Sequence, residues 1–469
     1  MWEGPVRPVQ LSTLAVWCEG RHLGADATIA AVCTDTRALI PGALFVALRG
    51  ENFDAHDFIA EAEAKGAGAL LLHRDVDTAL PRVLCADTQD ALGEIAAGMQ
   101  KGRPAVVVAL TGSNGKTSVK TLTQGILSRA GRCYFSPGNR NNEIGLPLTV
   151  LEAPEDAQFA IYEMGAGKPG DIAYLASIVP PQVALVNNIA PAHIERMGSL
   201  LGIAETKAAI YEALPDDGVA VINADDAFAP FFQQIVGARR TFRFGIDNGG
   251  DVRATRITAI AGGSRFHLHS PAGNADIALP LPGRHNVLNA LAASALAIAA
   301  GAGFDAVVAG LHGAESVTGR QVASRLVRRD GREGATLIDD SYNANPGSVG
   351  AAIATLAEGQ GEAWLVLGDM AELGAGAEGL HAQIGAQARA ARLERLWTVG
   401  TLGKAASDAF GPGAMHFGTQ AALIEALRHA LSRNANAGRL RILVKGSRSS
   451  AMDKVVAALQ ADSGDGHAA

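Results

Sequence analysis

The sequence is short of cysteine, of charge and of long apolar runs, and each shortage closes off a class of protein. Its four cysteines, Cys18, Cys33, Cys85 and Cys133, are widely spaced and form neither a CxxC pair nor a cluster with metal-ligand spacing. That excludes a disulfide scaffold and a thiolate metal centre, and the four are expected to be reduced core thiols. The 40 Lys and Arg against 47 Asp and Glu leave a formal net charge of -7. No large basic field of the kind that gathers polynucleotide phosphates is present, so nucleic acid is not an expected partner. The longest mildly apolar run, 287–304, is alanine-rich and contains Asn289; it reads as a buried helix rather than a membrane span. The first residues show no basic leader followed by an uninterrupted apolar stretch, so the chain is expected in the cytoplasm, without a membrane partner.

What is present argues for a large α/β enzyme. At 469 residues the chain exceeds the roughly 250–300 residues at which one core stops growing. A 48% hydrophobic share with 55 glycines fits a Gly- and Ala-rich folded protein and not a disordered one. Short β-branched or aliphatic runs followed by helical stretches recur at 105–110, 159–164, 183–188 and 219–223. They recur again at 335–340, 363–369, 396–400 and 442–446. Two such groups predict two separate, mostly parallel sheets.

Upstream of Lys101 the pattern changes to a smaller mixture of strand and helix. KGRP at 101–104 reads as a linker, and a second boundary falls near 314–320. Three domains result, at 1–100, 101–314 and 315–469. Residues 255–283 alternate as strands with turns and are expected to flank the central sheet in antiparallel fashion. The tail, 461–469, is expected to lack order.

Ligands of open α/β sheets bind beyond the carboxyl ends of the strands, and there these runs turn polar. Glu163, Asn187, Asn188, Asp339, Asp340, Asp369 and Lys445 all occupy such positions. Any one of them could simply cap a strand entering water; seven together point to a site.

The sharpest motif is TGSNGKTS, 111–118, between a strand and the helical run VKTLTQGILSRA. This is the context of a phosphate-binding loop. Backbone N–H groups of Gly112, Ser113, Asn114 and Gly115, the helix N-terminus and Ser118 meet phosphate oxygens, while Lys116 reaches the terminal phosphates and the Thr117 hydroxyl ligates Mg²⁺. Leu110 stands where the strict pattern wants glycine, so the match is to a tighter variant of the loop. Glu163, just past a strand, can accept the same Mg²⁺, although alone it would more often be a capping residue. His193 and Lys207, taken singly, read as a loop histidine and a solvent-facing lysine. Asn286 and Asn289, three apart at a helix entry, share a face and can bond a purine edge, with an N-cap and turn as the plain alternative. DDSYNANP, 339–346, crowds carboxylates and amides that ribose or a cation would satisfy. Lys445 and Arg448 of KGSRS can receive a carboxylate or phosphate.

Taken in order, TGSNGKTS, NRNNEIGLP, YEMGA, VNN with AHIE, ETKAAI, LPGRHNVLNALAA, GR at 319–320, DDSYNANP, GDMAELG and KGSRS resemble the Mur ligases over nearly the whole chain. The resemblance implies an N-terminal domain for a UDP-linked substrate, a central ATPase domain and a C-terminal Rossmann-like domain. It implies an ATP-dependent amide ligase that joins D-alanyl-D-alanine to UDP-N-acetylmuramoyl-tripeptide through an acyl phosphate, in peptidoglycan precursor synthesis, acting as a monomer. It further implies that Thr117 and Glu163 hold one Mg²⁺ and that His193 and a carbamylated Lys207 hold a second. Asn286 and Asn289 would face adenine, Arg320 the γ-phosphate and Asp340 the ribose. Thr36 and Arg37 would contact the nucleotide of the UDP substrate, with a helix cap at 34–36 as the competing reading. Asn139 and Asn142 would meet the peptidyl substrate, and Asn343, Lys445, Ser447 and Arg448 would shape the D-alanyl-D-alanine site. Two other readings stay open: the family member that adds the third, diamino residue, whose DNPR-like motif is not found here, and an ATP-hydrolysing switch.

Overall fold

Three sheets organise the chain in the computed structural model, which describes residues 7–50, 53–327, 333–434 and 436–464. The N-terminal sheet has five short strands in the order Arg21–Leu23, Arg82–Leu84, Ala69–Leu72, Leu44–Val46 and Val32–Cys33. Its inner strands, ALLL and LFV, are buried at every position, as strands covered on both faces must be.

The central sheet has nine strands. Seven run parallel, in the order Cys133–Phe135, Phe159–Glu163, Val106–Thr111, Val183–Val186, Val219–Asn223, Arg240–Gly245 and Val252–Ile260. From Val252–Ile260, the strands Gly263–Ser270 and Gly273–Leu279 then meander antiparallel at the edge, the flank expected from 255–283. The helices Lys116–Ala130 and Arg284–Ala299 share a core with one face of the sheet. The helices following both neighbours of strand Val106–Thr111 cover the opposite face. A crevice therefore opens at the carboxyl end of Val106–Thr111, where the winding direction changes.

The C-terminal sheet has the order Val322–Val327, Glu333–Asp340, Arg441–Lys445, Ala363–Gly368, Arg395–Val399 and Ala414–Phe417, parallel except for its first strand. Each of its faces carries its own apolar cluster.

Two expectations, for the tail and for the cysteines, are corrected. The helix Asp453–Gly464 runs through 461–464, against the expectation of an unordered tail there, and 465–469 lie outside the described residues. Of the cysteines only Cys18 is buried; the other three are half-buried, and all four are free thiols. The helix Thr88–Gln100, just ahead of 101–104, is packed on both sides. Added Cβ atoms at Gly98 and Gly93 would meet Trp17 and Tyr174 respectively, so it is wedged between the N-terminal segment and the central domain. The apolar stretch from Val287 forms the buried helix Arg284–Ala299, and among the described residues no helix is long and apolar enough to cross a membrane.

Candidate active site

The loop after strand Val106–Thr111 is fixed by its glycines and by its neighbours. Gly112 has φ +152°, and a Cβ there would lie 3.0 Å from the Asn187 side chain. Gly115, at φ +77°, ends the loop as the N-cap of Lys116–Ala130. A Cβ on it would come within 2.5 Å of Asn289 Oδ1, so close approach and the left-handed backbone both demand glycine. The next segment clamps the loop. Ser113 N–H donates to the Asn188 carbonyl at 2.9 Å, Asn114 N–H to Asn188 Oδ1 at 2.8 Å, and Asn187 Nδ2 to the Asn114 carbonyl at 2.9 Å.

Strand register brings the acid to the loop. Leu110 pairs with Glu163, so the Glu163 carboxylate emerges beside the loop. Thr117 Oγ1 donates to Glu163 Oε2 at 3.1 Å, and Arg320, arriving from the segment between the central and C-terminal sheets, donates to Thr117 Oγ1 at 3.1 Å. The Arg320 guanidinium stacks 4.4 Å from the centre of the Tyr342 ring, which holds its planar head in place. Burial alone would raise the Glu163 carboxyl, but Lys120, Lys116 and the Asn141 amide hold it below its ordinary value. It therefore stays a carboxylate. Lys116 donates to the Gly112 carbonyl at 2.7 Å, and burial lowers its pKa against the pull of Glu163.

Lys207 lies on the helix Leu200–Glu212, is 3% exposed and lines the same cavity. Burial, with Lys116 nearby, brings its pKa down to about 7, so it is not the solvent-facing lysine that sequence alone describes. His193, at φ +56°, meets the carboxylate of Glu372 through Nδ1. Burial outweighs the pull of Glu372 and lowers the histidine pKa.

These groups line one cavity of about 810 Å³ between the central and C-terminal sheets, within the usual size of a small-molecule site. Gly112 through Ser118, Asn139, Asn142, Asn286 and Asn289 reach it from the central domain. Asp340, Asn343 and Lys445 reach it from the C-terminal sheet. The register pairs Asp340 with Lys445, and Lys445 Nζ donates to Asp340 Oδ2 at 2.7 Å; burial pushes the Asp340 carboxyl up against that partner. Asn286 and Asn289 are largely buried. Their amides are linked to each other at 3.3 Å, and Asn289 Oδ1 accepts from Asn187 at 3.3 Å.

Four expected residues lie apart. Ser447 is buried, with its hydroxyl accepting from Ala371 N–H at 2.8 Å and donating to the Ala344 carbonyl at 3.1 Å. A single 3-10 turn, Arg448–Ser450, carries Arg448 outward to Asp453 at 3.4 Å. Neither residue joins Lys445 at the cavity, because the chain turns away as soon as the strand ends. Thr36 and Arg37 sit in the N-terminal domain on a 3-10 turn capped by Asp35, within the 34–36 span of the cap reading. Thr36 is buried, and the exposed Arg37 folds back on Asp35 at 2.6 Å.

Sequence reasoning missed four participants. Lys120 is buried 3.3 Å from Glu163 and donates to the carbonyls of Ser136 and Gly138 at 2.9 and 2.7 Å. Its place one helical turn beyond Lys116 was the available signal. Asn141 donates to Glu163 Oε1 at 2.8 Å and stands between the two asparagines singled out. Asn345 donates to Asn114 Oδ1 at 2.7 Å across the two domains. Glu372 belongs to GDMAELG, a motif noted without a role.

A phosphate-binding loop, a carboxylate beside its threonine and a second α/β domain closing over both define a P-loop enzyme that works between domains. The Mur ligase family catalytic domain, the Mur ligase middle domain and the Mur ligase glutamate ligase domain match residues 28–107, 110–297 and 324–448. The chain is 48% identical to the UDP-N-acetylmuramoyl-tripeptide--D-alanyl-D-alanine ligase of Escherichia coli (strain K12), over 96% of this chain and 98% of that protein. The crystal structure of MurF from Acinetobacter baumannii matches with a TM-score of 0.93 at 33% identity, covering 98% of this chain and 100% of that one. MurF from Thermotoga maritima in complex with ADP matches with a TM-score of 0.82 at 26% identity, covering 92% and 97%. The chain belongs to the Mur ligase family.

Proposed function

We propose that this chain is the ligase that joins D-alanyl-D-alanine to UDP-N-acetylmuramoyl-tripeptide at the expense of ATP, which becomes ADP and phosphate. The observation that carries the reading is the single cavity that brings the phosphate loop, Glu163, Lys207 and His193 together with Asp340 and Lys445 of the C-terminal sheet. The full-length likeness to ligases of this name supports the choice of substrates, and the ADP held by the Thermotoga maritima relative supports the nucleotide.

In this reading the loop N–H groups and Lys116 grip the terminal phosphates. Arg320, stacked on Tyr342, faces the transferred phosphoryl group, Asp340 the ribose, and Asn286 and Asn289 the adenine. A terminal carboxylate oxygen of the tripeptide attacks the γ-phosphorus, forming an O–P bond as ADP leaves. The amine of D-alanyl-D-alanine then attacks the acyl carbon, phosphate departs and the amine loses a proton. Two anions approach in the first step, so the cations around the loop must offset their repulsion, and closure of the C-terminal domain must keep water from the acyl phosphate.

Thr117 and Glu163 offer the hard oxygen donors that Mg²⁺ favours, and would hold one ion. His193 and Lys207 fit a second once the lysine amine has added CO₂ and shed a proton, giving an anionic oxygen donor; the lowered pKa of Lys207 favours the neutral amine that this addition needs. Bound Mg²⁺ supplies charge neutralisation at the phosphates. Asn139 and Asn142 would meet the peptidyl substrate, Asn343 and Lys445 the dipeptide, and the N-terminal domain near Thr36 and Arg37 the uridine end. The chain is read as acting as a monomer, in the cytoplasm where ATP is available. The three sheets support domains near 1–100, 101–314 and 315–469.

The test is phosphate release with substrates omitted singly. Release is expected only with ATP, UDP-N-acetylmuramoyl-tripeptide and D-alanyl-D-alanine together. Equal release without the dipeptide would favour an ATP-driven switch, and release driven by a diamino acid with the UDP-dipeptide would favour the sister ligase.

A further inference from the structure

The motif GDMAELG, 368–374, has no part in the reading above, yet the structure spends much of its bonding on placing it. It follows strand Ala363–Gly368 of the C-terminal sheet. Asp369 turns away from the cavity and accepts from Leu402 and Gly403 N–H at 3.1 and 2.8 Å. Met370 N–H donates to the buried His381 at 2.9 Å, and Ala371 N–H to Ser447 Oγ at 2.8 Å. With three consecutive residues pinned, Glu372 is thrown toward the central domain with φ +61°. Its carboxylate meets His193 Nδ1, and His193 is itself at φ +56°. Two residues with side chains, both in the left-handed region that favours glycine, thus face each other from different domains. Such conformations persist only where the surroundings over-determine them, and they gather at functional sites. Gly374, at φ +65°, lies under the backbone of Glu195, two residues past His193.

An imidazole that ligates a cation keeps one N–H and one lone pair, and whichever partner takes the N–H decides where the lone pair lies. Glu372 accepts from Nδ1, which leaves the Nε2 lone pair of His193 for a ligand, and His193 lines the cavity. We propose that Glu372 is a positioning residue: reaching from the C-terminal domain, it sets the tautomer and orientation of His193 for cation binding, so that the His193–Lys207 pair is complete only when that domain is docked. This rests on the ligase reading for the identity of the reaction, but not for the contact itself.

The experiment compares wild type, Glu372→Ala, Glu372→Gln, His193→Ala and the Glu372→Ala/His193→Ala double variant, each loaded with a non-hydrolysable ATP analogue. Bound Mn²⁺ is counted by electron paramagnetic resonance, and kcat and KM for ATP are measured in parallel. Wild type is expected to hold two Mn²⁺. Glu372→Ala should weaken the second roughly 10- to 100-fold and lower kcat by a similar factor, with little change in KM for ATP. Glu372→Gln, which still offers an acceptor to Nδ1–H, should recover most of both. The double variant should be no worse than His193→Ala, because residues that act through one another are not additive. Multiplying effects in the double variant, unaltered Mn²⁺ binding in Glu372→Ala, or a single Mn²⁺ in wild type would each overturn the assignment. A wild type whose phosphate release ignores D-alanyl-D-alanine would instead overturn the ligase reading, leaving the Mn²⁺ and double-variant results to decide the role of Glu372 by themselves.

Discussion

The two junctions of this chain are built from opposite materials. Between the N-terminal and central domains the core is continuous. Leu14 and Leu44 on one side, Leu92 and Ile95 on the wedged helix, and Val150 and Ile172 on the other belong to one apolar cluster. Between the central and C-terminal domains lies a polar cavity crossed by few side-chain bonds, among them Asn345 to Asn114, Arg320 to Thr117 and Glu372 to His193. A dry junction gains from apolar area removed from water and resists opening. A polar one gains little until a ligand supplies the missing partners, so it can open and close at small cost. In the proposed function, the dry junction would hold the domain that takes the UDP-linked substrate, and the polar one would serve the chemistry.

Breaking the polar junction at its most charged point should give the largest effect. Lys116→Ala is expected to lower kcat about 10²- to 10³-fold, on the scale of removing one electrostatic contact to the transferring group, while thermal unfolding stays close to wild type. Near-full activity in the phosphate-release assay would remove the loop from the mechanism. The dry junction should show the reverse pattern. Leu92, fully buried within the shared core, should cost about 2–5 kcal/mol of stability when cut to alanine, visible in denaturant unfolding, with kcat of the folded fraction within about twofold. A large fall in kcat at full folding would mean that the two junctions are coupled.

The sequence carried the central and C-terminal sheets well, because parallel strands buried on both faces are continuous apolar runs. VAVIN at 219–223 is a strand from its first residue to its last. The phosphate loop was equally legible, since its glycines meet a requirement that is local in sequence. Contacts across junctions were not. Nothing near Glu372 in sequence points to His193, nothing near Asn345 points to Asn114, and the helix Thr88–Gln100 reveals its role only where Gly93 and Gly98 meet Tyr174 and Trp17. Arg448 misled for the converse reason: a basic residue at a strand end looks available, and only the 3-10 turn after Ser447 shows that it faces away. Lys207 stood between these cases, its helix legible but its burial set by partners distant in sequence.

That burial makes a pH prediction with a definite sign. The Lys207 pKa falls from 10.5 in its ordinary state to about 7 in the fold. Between those values the unfolded chain binds the proton and the folded chain does not, so this group makes stability rise with pH from about 7 to 10.5 and fall toward a constant below 7. Lys207→Met should flatten that rise in unfolding measured across the window. The neutral amine also becomes about tenfold scarcer for each pH unit below 7, so carbamate followed by ¹³C NMR with labelled bicarbonate should fade there. A carbamate signal in wild type that does not respond to pH would contradict the buried, neutral lysine. Lys207→Ala should be inactive, with partial recovery in the presence of short carboxylic acids.

The smallest effect is the most discriminating between the junctions. Asn345 has two jobs. Its Oδ1 caps the helix Pro346–Glu358 by accepting from Ser348 N–H at 2.9 Å, and its Nδ2 reaches Asn114 in the phosphate loop at 2.7 Å. Serine is about as good a cap as asparagine but is too short to keep the second bond. Asn345→Ser should therefore leave stability within about 0.5 kcal/mol of wild type. The lost cross-domain bond, worth about 0.5–1.5 kcal/mol, should appear instead as a several-fold fall in kcat/KM for ATP. Asn345→Ala removes both functions and should add about 1 kcal/mol of destabilisation from the missing cap. If Asn345→Ser unfolded as readily as Asn345→Ala while keeping full kcat/KM, the polar junction would be contributing stability rather than catalysis, and the contrast with the dry junction would fail.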